Sequence, residues 1–134
     1  MERKQKVLLV HNYYKVSGGE DSVVSNEKKL LEENGHEVIL YTRNNSEIDH
    51  FGIGKKLRFP FNAVYNRKTY RDIKKIIEQE KIDIVHVHNT LSLISPAVYY
   101  AAIDSKIPVV QTIHNFRMIC PGATLFRDGH ISEQ

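Results

Sequence analysis

Four short apolar runs alternate along the chain with longer segments of mixed polarity. The runs cover residues 7–10, 37–41, 82–88 and 107–114. The first run, Val-Leu-Leu-Val, is continuously apolar, as is typical of a strand that is buried on both faces of a sheet. Strands that alternate with helices favour a parallel sheet with helices on both faces. The pattern therefore predicts an α/β fold of this kind.

Three segments between these runs have apolar residues at helical spacing. The predicted buried stripes are Val23, Val24, Leu30 and Leu31 in residues 21–34, Tyr70, Ile73, Ile76 and Ile77 in residues 68–80, and Val98, Tyr99, Ala102 and Ile103 in the segment after Pro96. Gly35 suits the end of the first helix, because glycine accepts a left-handed backbone conformation. Residues 43–66 are predicted to be irregular, and residues 115–134 to form a long loop or a hairpin.

Composition limits the class of protein. The chain has 134 residues, one cysteine and 26% charged residues, which fits one globular domain in a reducing compartment. No apolar run approaches the roughly 20 residues that a membrane-spanning helix needs. The polar start of the chain does not resemble a signal peptide. We therefore expect a cytoplasmic location.

Positive charge is concentrated in residues 55–75, which hold eight Lys or Arg residues and one acidic residue in a chain of net charge +3. Basic residues contribute roughly 1 kcal/mol each near an anionic leaflet, and aromatic rings suit the headgroup region. We predict a peripheral membrane contact here, and the alternative is a solvated helix face whose aromatic rings lie in the core. The predicted contact residues are Lys55, Lys56, Arg58, Phe59 and Phe61. No nucleic-acid partner is expected, because the basic patch is short.

Three of the predicted strands are followed by a His-Asn pair. The pairs are His11-Asn12, His88-Asn89 and His114-Asn115. In open parallel sheets, ligands bind beyond the carboxyl ends of the strands. We therefore predict that all three pairs face one crevice.

A Gly18-Gly19 pair precedes the first predicted helix. Glycine lets backbone N–H groups approach a phosphate, and the N-terminus of a helix adds partial positive charge. A flexible turn is the alternative interpretation, since glycine serves turns of many kinds. The chain lacks both the G-x-G-x-x-G and the P-loop patterns, which argues against NAD and ATP as ligands.

His114 is the candidate for chemistry, because a histidine can donate a hydrogen bond, accept a proton or bind a metal. The alternative is a histidine at a strand end whose ring is satisfied by its neighbours. His86 and His88 share one face of a strand, which is a spacing that suits zinc. No cysteine or acidic residue with the spacing of a structural zinc site follows them, so we expect no metal. Arg117 is interpreted as a contact for an anionic group or as a solvated charge.

Several short motifs follow one another in a definite order. They read S-G-G-E-D at 17–21, N-G-H-E-V at 34–38, D-I-V-H-V-H-N at 83–89, Q-T-I-H-N-F-R at 111–117 and C-P-G-A-T-L-F-R-D-G at 120–129. This set resembles the N-terminal domain of retaining, GT-B-type glycosyltransferases of family four over essentially the whole chain. The resemblance implies a Rossmann-like parallel sheet with helices on both faces, which is one half of a GT-B architecture.

By this resemblance, the chain is the acceptor-side part of an enzyme that moves a sugar from a nucleotide-sugar to a glycan or lipid-linked acceptor with retention. His114 would contact the sugar near the reacting carbon, and Gly18 and Gly19 would approach the donor phosphates or the transferred sugar. The residues implied on the acceptor side are His11, His88, Asn89, Asn115 and Arg117. No cofactor is implied, because the nucleotide-sugar is a substrate.

The chain departs from the family pattern at its end. A cysteine-bearing stretch often follows R-D-G in relatives, whereas residues 130–134 contain no cysteine. By the resemblance, a C-terminal donor domain would lie outside these 134 residues. We therefore expect residues 1–134 to be an incomplete acceptor-side domain that is inactive alone and joins its missing half in cis or in trans. The alternative function is a non-catalytic binding or scaffold subunit that recruits a separate donor-domain chain to a membrane.

Overall fold

The computed structural model describes residues 3–117, 119–120, 122–127 and 129–131. In chain order the elements are β1 (Lys6–Tyr13), α1 (Gly19–Glu33), β2 (Glu37–Asn44), a 3₁₀ helix (Asn45–His50), α2 (Ile53–Val64), α3 (Arg67–Glu80), β3 (Ile84–Asn89), α4 (Ala97–Asp104), β4 (Val109–Gln111), β5 (Phe126–Arg127) and β6 (His130–Ile131). The four predicted strands and the three predicted helices are all present.

Strands β1 to β4 form one parallel sheet in the order β2-β1-β3-β4. β1 is central and pairs with β2 along its whole length, while its other edge pairs with β3. β4 is shorter than predicted, because its pairing with β3 covers only three residues. β5 and β6 form a separate antiparallel hairpin, so the hairpin predicted near the end of the chain is confirmed. The α/β fold with a parallel sheet is also confirmed.

The main core lies on one side of the sheet. Leu8 and Val10 of β1 and Val85 and Val87 of β3 are fully buried there and pack in one cluster with residues of α3 and α4. Each such aliphatic side chain contributes about 1.5–3 kcal/mol when it is removed from water. This side of the sheet provides most of the apolar burial.

Helices α3 and α4 cover this core together. Ile73 and Ile77 of α3 are buried as predicted. The stripe predicted for α4 is wrong at Ile103, which is exposed, whereas Ala97 and Ala101 are fully buried. Small alanine side chains allow α4 to lie close to α3 and to the sheet, and the larger isoleucine is left on the outside.

Helix α1 covers the other side of the sheet. The stripe predicted for it is wrong at Val23 and Leu30, which are exposed, and Val24 is its one fully buried residue. The helix turns Glu27 toward the sheet as well, where this side chain meets two histidines. The prediction failed because it assumed an apolar sheet surface beneath the helix. With α1 on this side and α3 and α4 on the other, the predicted helices on both faces are confirmed.

Residues 45–50 and 53–64 are helical, contrary to the prediction that residues 43–66 are irregular. They form the 3₁₀ helix and α2, and Pro60 lies inside α2. Proline lacks an N–H group and normally ends a helix, which is why the pattern was misread. No residue of α2 is buried, so this helix lies on the surface of the domain.

Asn12 connects the end of β1 to two neighbouring segments. Its side chain is fully buried; its amide nitrogen donates to Asn45 Oδ1 at 2.8 Å and its amide oxygen accepts from the backbone N–H of Leu93 at 3.1 Å. Its backbone carbonyl accepts from Asn89 Nδ2 at 2.8 Å. One buried amide therefore joins β1, the 3₁₀ helix and the segment that follows β3.

We expect the substitution Asn12→Ala to lower the free energy of unfolding by about 2–3 kcal/mol, because it leaves buried partners unsatisfied. Urea unfolding followed by circular dichroism measures this change. Asn26→Ala, at an exposed position of α1, is the matched control and should stay within about 0.5 kcal/mol. Equal stability of the two variants would contradict the role given to Asn12.

Candidate active site

A pocket of about 240 Å³ lies beyond the carboxyl ends of β1, β3 and β4. His88 and Asn89 line it at the end of β3, and His114, Asn115 and Arg117 line it after β4. Ligands of open parallel sheets bind in this position. The structure therefore brings together five of the predicted site residues in one concave surface.

His88 and His114 are in direct contact within this pocket. His88 Nδ1 and His114 Nε2 are 2.9 Å apart, and the rings stack with their centroids 5.2 Å apart at an angle of 23°. The His88 side chain is completely buried, while His114 is half-buried. His114 is thus the more accessible ring of the pair.

Burial, together with smaller contributions from the nearby rings of His86, His114 and His11, lowers the pKa of His88 from 6.5 to about 4. A ring with this pKa is neutral at pH 7. A neutral imidazole carries one N–H donor and one acceptor nitrogen. His88 therefore serves its neighbours as a hydrogen-bonding group and not as a charge.

Glu27 of α1 lies beneath these rings. Its Oε1 is 2.6 Å from His86 Nδ1, and its Oε2 is 3.2 Å from His88 Nε2. Both contacts lie within ion-pair distance, and His88 Nε2 has no hydrogen-bond partner among the described residues. His86 Nε2 contacts Thr112 Oγ1 at 2.8 Å.

Sequence reasoning missed Glu27. The available signal was an acidic residue in helical register with Val24 and Leu31, next to a strand whose alternate residues are His86 and His88. A carboxylate on the inward side of a helix needs a buried partner. Histidines two positions apart on a strand provide that partner. The inward glutamate of α1 and the paired histidines of β3 therefore account for each other.

His11 does not line the pocket, which corrects the prediction that its pair faces the crevice. Its ring is completely buried, and its Nε2 donates to Asp21 Oδ1 at 2.9 Å. Burial opposes the ionisation of Asp21, but hydrogen bonds from His11, Ser17 and the Gly18 backbone outweigh it and hold the pKa of this carboxyl below its usual value. The contact between His11 and Asp21 therefore joins β1 to α1. Asn12 belongs to the buried network described above.

Neither Gly18 nor Gly19 is among the residues that line the pocket. Gly18 is the N-cap of α1, and its backbone N–H donates to Asp21 Oδ2 at 3.2 Å. A Cβ atom at either glycine would meet no atom within 4 Å. The surface at the glycines is therefore open, although one of the two N–H groups is already bonded to a carboxylate.

The remaining predicted site residues differ in how far contacts within the protein already occupy their side chains. Asn89 is held by the scaffold, since its amide nitrogen donates to the Asn12 carbonyl and its oxygen accepts from Leu91 N at 3.1 Å. Asn115 Oδ1 accepts from the backbone N–H of Arg117 at 3.0 Å. The guanidinium of Arg117 lies over the Tyr14 ring, 5.5 Å from its centroid. Arg117 is exposed, so it is the cation at the pocket with room for an anionic ligand.

Within the described part of the chain, two groups of side chains have atoms of the metal-ligating type within 4.8 Å of one another. They are Glu27, His86 and His88, and His11, Glu20 and Asp21. The expectation of no metal rested on the lack of an acidic partner in the sequence, and that reason is wrong because α1 supplies acidic partners in space. In the structure these acids contact the histidines directly, at 2.6 Å in the first group and 2.9 Å in the second.

The family of the chain follows from its sequence. Residues 17–128 match the sequence model of Glycosyltransferase Family 4. The chain belongs to this family. The match includes the glycine pair, both histidines of the pocket and Arg117.

Two curated relatives are similar to this glycosyltransferase domain. An uncharacterized 42.6 kDa protein in the cps region of Klebsiella pneumoniae is 32% identical over 111 residues, which cover 78% of the chain and 29% of that protein. An alpha-monoglucosyldiacylglycerol synthase of Streptococcus pneumoniae is 28% identical over 114 residues, which cover 80% of the chain and 26% of that protein. The chain thus spans less than a third of the length of either relative.

A solved structure of S. aureus MnaA with UDP resembles the chain with a TM-score of 0.53 at 15% identity, over 81% of this chain and 29% of that one. A likeness at this identity concerns the fold. Together with the parallel sheet, it shows that the glycosyltransferase domain has the Rossmann-like arrangement of one half of a GT-B architecture.

The lowered pKa of His88 makes stability depend on pH. The folded value of about 4 lies below the ordinary 6.5, so the unfolded chain takes up a proton first as the pH falls. The stability that the neutral ring contributes is therefore complete above about pH 6.5 and is lost as the pH falls toward 4. Urea unfolding at several values between pH 7.5 and 4.5 should show a decreasing free energy of unfolding.

Substitution of this ring tests the assignment. His88→Gln should reduce the loss of free energy over the same pH range, because glutamine does not titrate. His50→Gln, at an exposed position, is the control and should leave the pH dependence of the parent chain unchanged. A His88→Gln variant that loses as much stability as the parent would assign the pH dependence to other groups.

Proposed function

We propose that this chain is the acceptor-side N-terminal domain of an enzyme that moves a sugar from a nucleotide-sugar to a glycan or lipid-linked acceptor, with retention of the anomeric configuration. The observation that carries the proposal is the stacked pair of His88 and His114 in the pocket at the strand ends, in a chain of glycosyltransferase family 4. The name of the Streptococcus relative supports a lipid-linked acceptor, and the UDP in the MnaA structure supports a nucleotide donor.

In this proposal the side chains of the pocket orient the reacting sugar. His114 presents its ring to the transferred sugar, and Arg117 offers a cation for an anionic group of either substrate. Gly19 leaves the N-terminus of α1 open to the donor phosphates, where the partial positive charge of the helix is favourable. Asn89 and Asn115 support the acceptor side. The proposal assigns no cofactor and no metal to the chain.

The diphosphate leaving group gains charge in the transition state and needs compensation. In the proposal, a separate donor domain supplies this compensation, in cis or in trans, and the chain alone transfers no sugar. The alternative function, a non-catalytic scaffold subunit, is not favoured, because family membership and the named synthase among the relatives point to a transferase.

His114→Ala should lower turnover by roughly 100-fold, or about 3 kcal/mol of transition-state stabilisation, in an enzyme that joins residues 1–134 to a family-4 donor domain. A radiolabelled panel of nucleotide-sugars with lipid extract as acceptor measures the transfer. The chain alone, assayed in parallel, should remain at the hydrolytic background.

His130→Ala is the control, because His130 lies in the terminal hairpin and outside the set that lines the pocket; it should keep turnover near that of the parent enzyme. Normal turnover of a folded His114→Ala variant would remove His114 from the proposed mechanism. Transfer by residues 1–134 alone would contradict the need for a second domain.

We further propose that α2 rests on an anionic membrane surface, at the cytoplasmic face. Its apolar residues Ile53, Leu57, Phe61 and Val64 are each more than 70% exposed, and their spacing of three or four positions puts them on one side of the helix. Lys55, Lys56 and Arg58 are interspersed with them and exposed. An amphipathic helix of this composition suits the boundary between headgroups and acyl chains.

The structure changes the expected contact residues in one respect. Phe59 is half-buried, and its ring packs edge-on against Phe51 with centroids 6.2 Å apart. It therefore faces the domain, while Phe61 remains on the exposed side. Among the described residues, no helix is long and apolar enough to cross a bilayer.

Sedimentation with liposomes tests this contact. We expect binding that rises with the fraction of anionic lipid and weakens with salt, and that is lost when Lys55, Lys56 and Arg58 become Glu. Leu57→Ser combined with Phe61→Ser should weaken binding as well, because the apolar anchor is removed. Ile103→Ser, at an exposed apolar position of α4, should leave binding unchanged. Equal recovery in the supernatant with neutral and anionic vesicles at low salt would rule out the membrane role.

A further inference from the structure

A continuous line of contacts leads from helix α1 into the pocket. Glu27 Oε2 is 3.2 Å from His88 Nε2, and His88 Nδ1 is 2.9 Å from His114 Nε2. Glu27 does not line the pocket itself. We propose that Glu27 is a positioning residue that acts through His88 to keep the proton of His114 on Nε2, so that His114 Nδ1 accepts a hydrogen bond from a hydroxyl group of the bound sugar.

The direction of each hydrogen bond follows from the carboxylate. An ionised carboxylate accepts hydrogen bonds and donates none. His86 Nδ1, at 2.6 Å from Glu27 Oε1, therefore carries a proton. His86 Nε2 lies 2.8 Å from the hydroxyl of Thr112, which can donate or accept a hydrogen bond. The assignment satisfies both nitrogens of His86.

The same reasoning fixes the proton of His88. This ring is neutral, because burial keeps its pKa near 4, so it has one proton to place. A proton on Nε2 places partial positive charge on a nitrogen that lies 3.2 Å from Glu27 Oε2. A proton on Nδ1 would instead leave a lone pair on Nε2 facing carboxylate oxygens in a completely buried site, which is repulsive. The carboxylate thus favours the Nε2–H form of His88 even though Nε2 has no hydrogen-bond partner among the described residues.

His88 Nδ1 is then an acceptor, and the partner at 2.9 Å, His114 Nε2, donates to it. This leaves a lone pair on Nδ1 of His114, a nitrogen to which no described residue makes a hydrogen bond. A lone pair accepts from a hydroxyl group and repels phosphate oxygens. The site next to His114 therefore suits a sugar hydroxyl and not the diphosphate. The inference depends on the proposed function only in naming a sugar as the ligand.

The geometry does not favour a metal at this cluster. Two ligands of one tetrahedral zinc ion, each bonded at about 2.0–2.1 Å, lie roughly 3.3 Å apart. Glu27 Oε1 and His86 Nδ1 are only 2.6 Å apart, the distance of a direct charge-assisted hydrogen bond. The side chains of Glu27 and His86 therefore contact each other directly and leave no room for an ion between them.

Long-range ¹H–¹⁵N correlation spectra of the imidazole rings test the proposal on the ¹⁵N-labelled chain, because they identify which ring nitrogen carries the proton. At pH 7.5, after treatment with EDTA, we expect His88 and His114 both to be protonated on Nε2. The resonances are assigned from His88→Asn and His114→Asn spectra. The measurement involves no sugar transfer. Its result therefore tests the positions of the ring protons independently of the proposed enzyme activity.

Glu27→Gln separates a positioning role from simple packing. Glutamine has nearly the shape of glutamate, but its amide can donate a hydrogen bond to Nε2 of His88. We expect this variant to move the proton of His88 to Nδ1 and, in consequence, that of His114 to Nδ1. Glu33→Gln, at an exposed position of the same helix, is the matched control and should leave both rings as in the parent chain.

Three results would overturn the proposal. The first is a parent chain in which His114 is protonated on Nδ1, and this result needs no variant. The second is a folded Glu27→Gln chain with both rings unchanged. The third is stoichiometric binding of Zn²⁺, added after EDTA, that removes the ring protons facing Glu27, since this would make the cluster a metal site.

Discussion

Two carboxylates on the inward side of α1 hold three histidines of the sheet, and the rest of the site depends on these contacts. Asp21 bonds to His11 of β1 at 2.9 Å, and Glu27 contacts His86 and His88 of β3. Buried polar groups require partners, so these pairs determine where α1 can lie on the sheet. The rings would lose these carboxylate partners if the helix were shifted by one turn. The same side chains thus hold α1 on the sheet and form part of the candidate site.

The two sides of the sheet have different roles, because one holds the main core and the other leads to the candidate site. The side beneath α3 and α4 is mainly apolar and contains the aliphatic cluster around Val85 and Val87. The side beneath α1 carries histidines at alternate positions of β3 and leads into the pocket. A strand with alternating residues can serve both needs at once, because successive side chains point to opposite faces. β3 therefore contributes to the core and to the site within six residues.

Sequence patterns predicted the sheet and the stripe of α3 because these parts obey simple burial rules. The same patterns failed where polar side chains are buried, as in α1, and where a helix buries no residue, as in α2. Val23 and Leu30 seemed to be the inward residues of α1 because no pattern shows that Glu27 has partners on a strand about 60 positions away in the chain. α2 was missed because Pro60 is a helix breaker in most contexts. His88 and His114 were correctly placed together, whereas His11 precedes the end of β1 by two residues and turns beneath α1.

The network around Asn12 has a consequence for motion. The backbone N–H of Leu93 donates to a fully buried amide that is itself held by the central strand of the sheet. Amide hydrogens exchange with solvent only when such bonds open, and those bonded to a central strand open on the free-energy scale of global unfolding. The segment after β3, which contributes one wall of the pocket, is thus tied to the central strand at Leu93. We therefore expect any adjustment of the pocket to its ligands to come from the opposite wall, where the chain leaves β4 through His114 and Arg117.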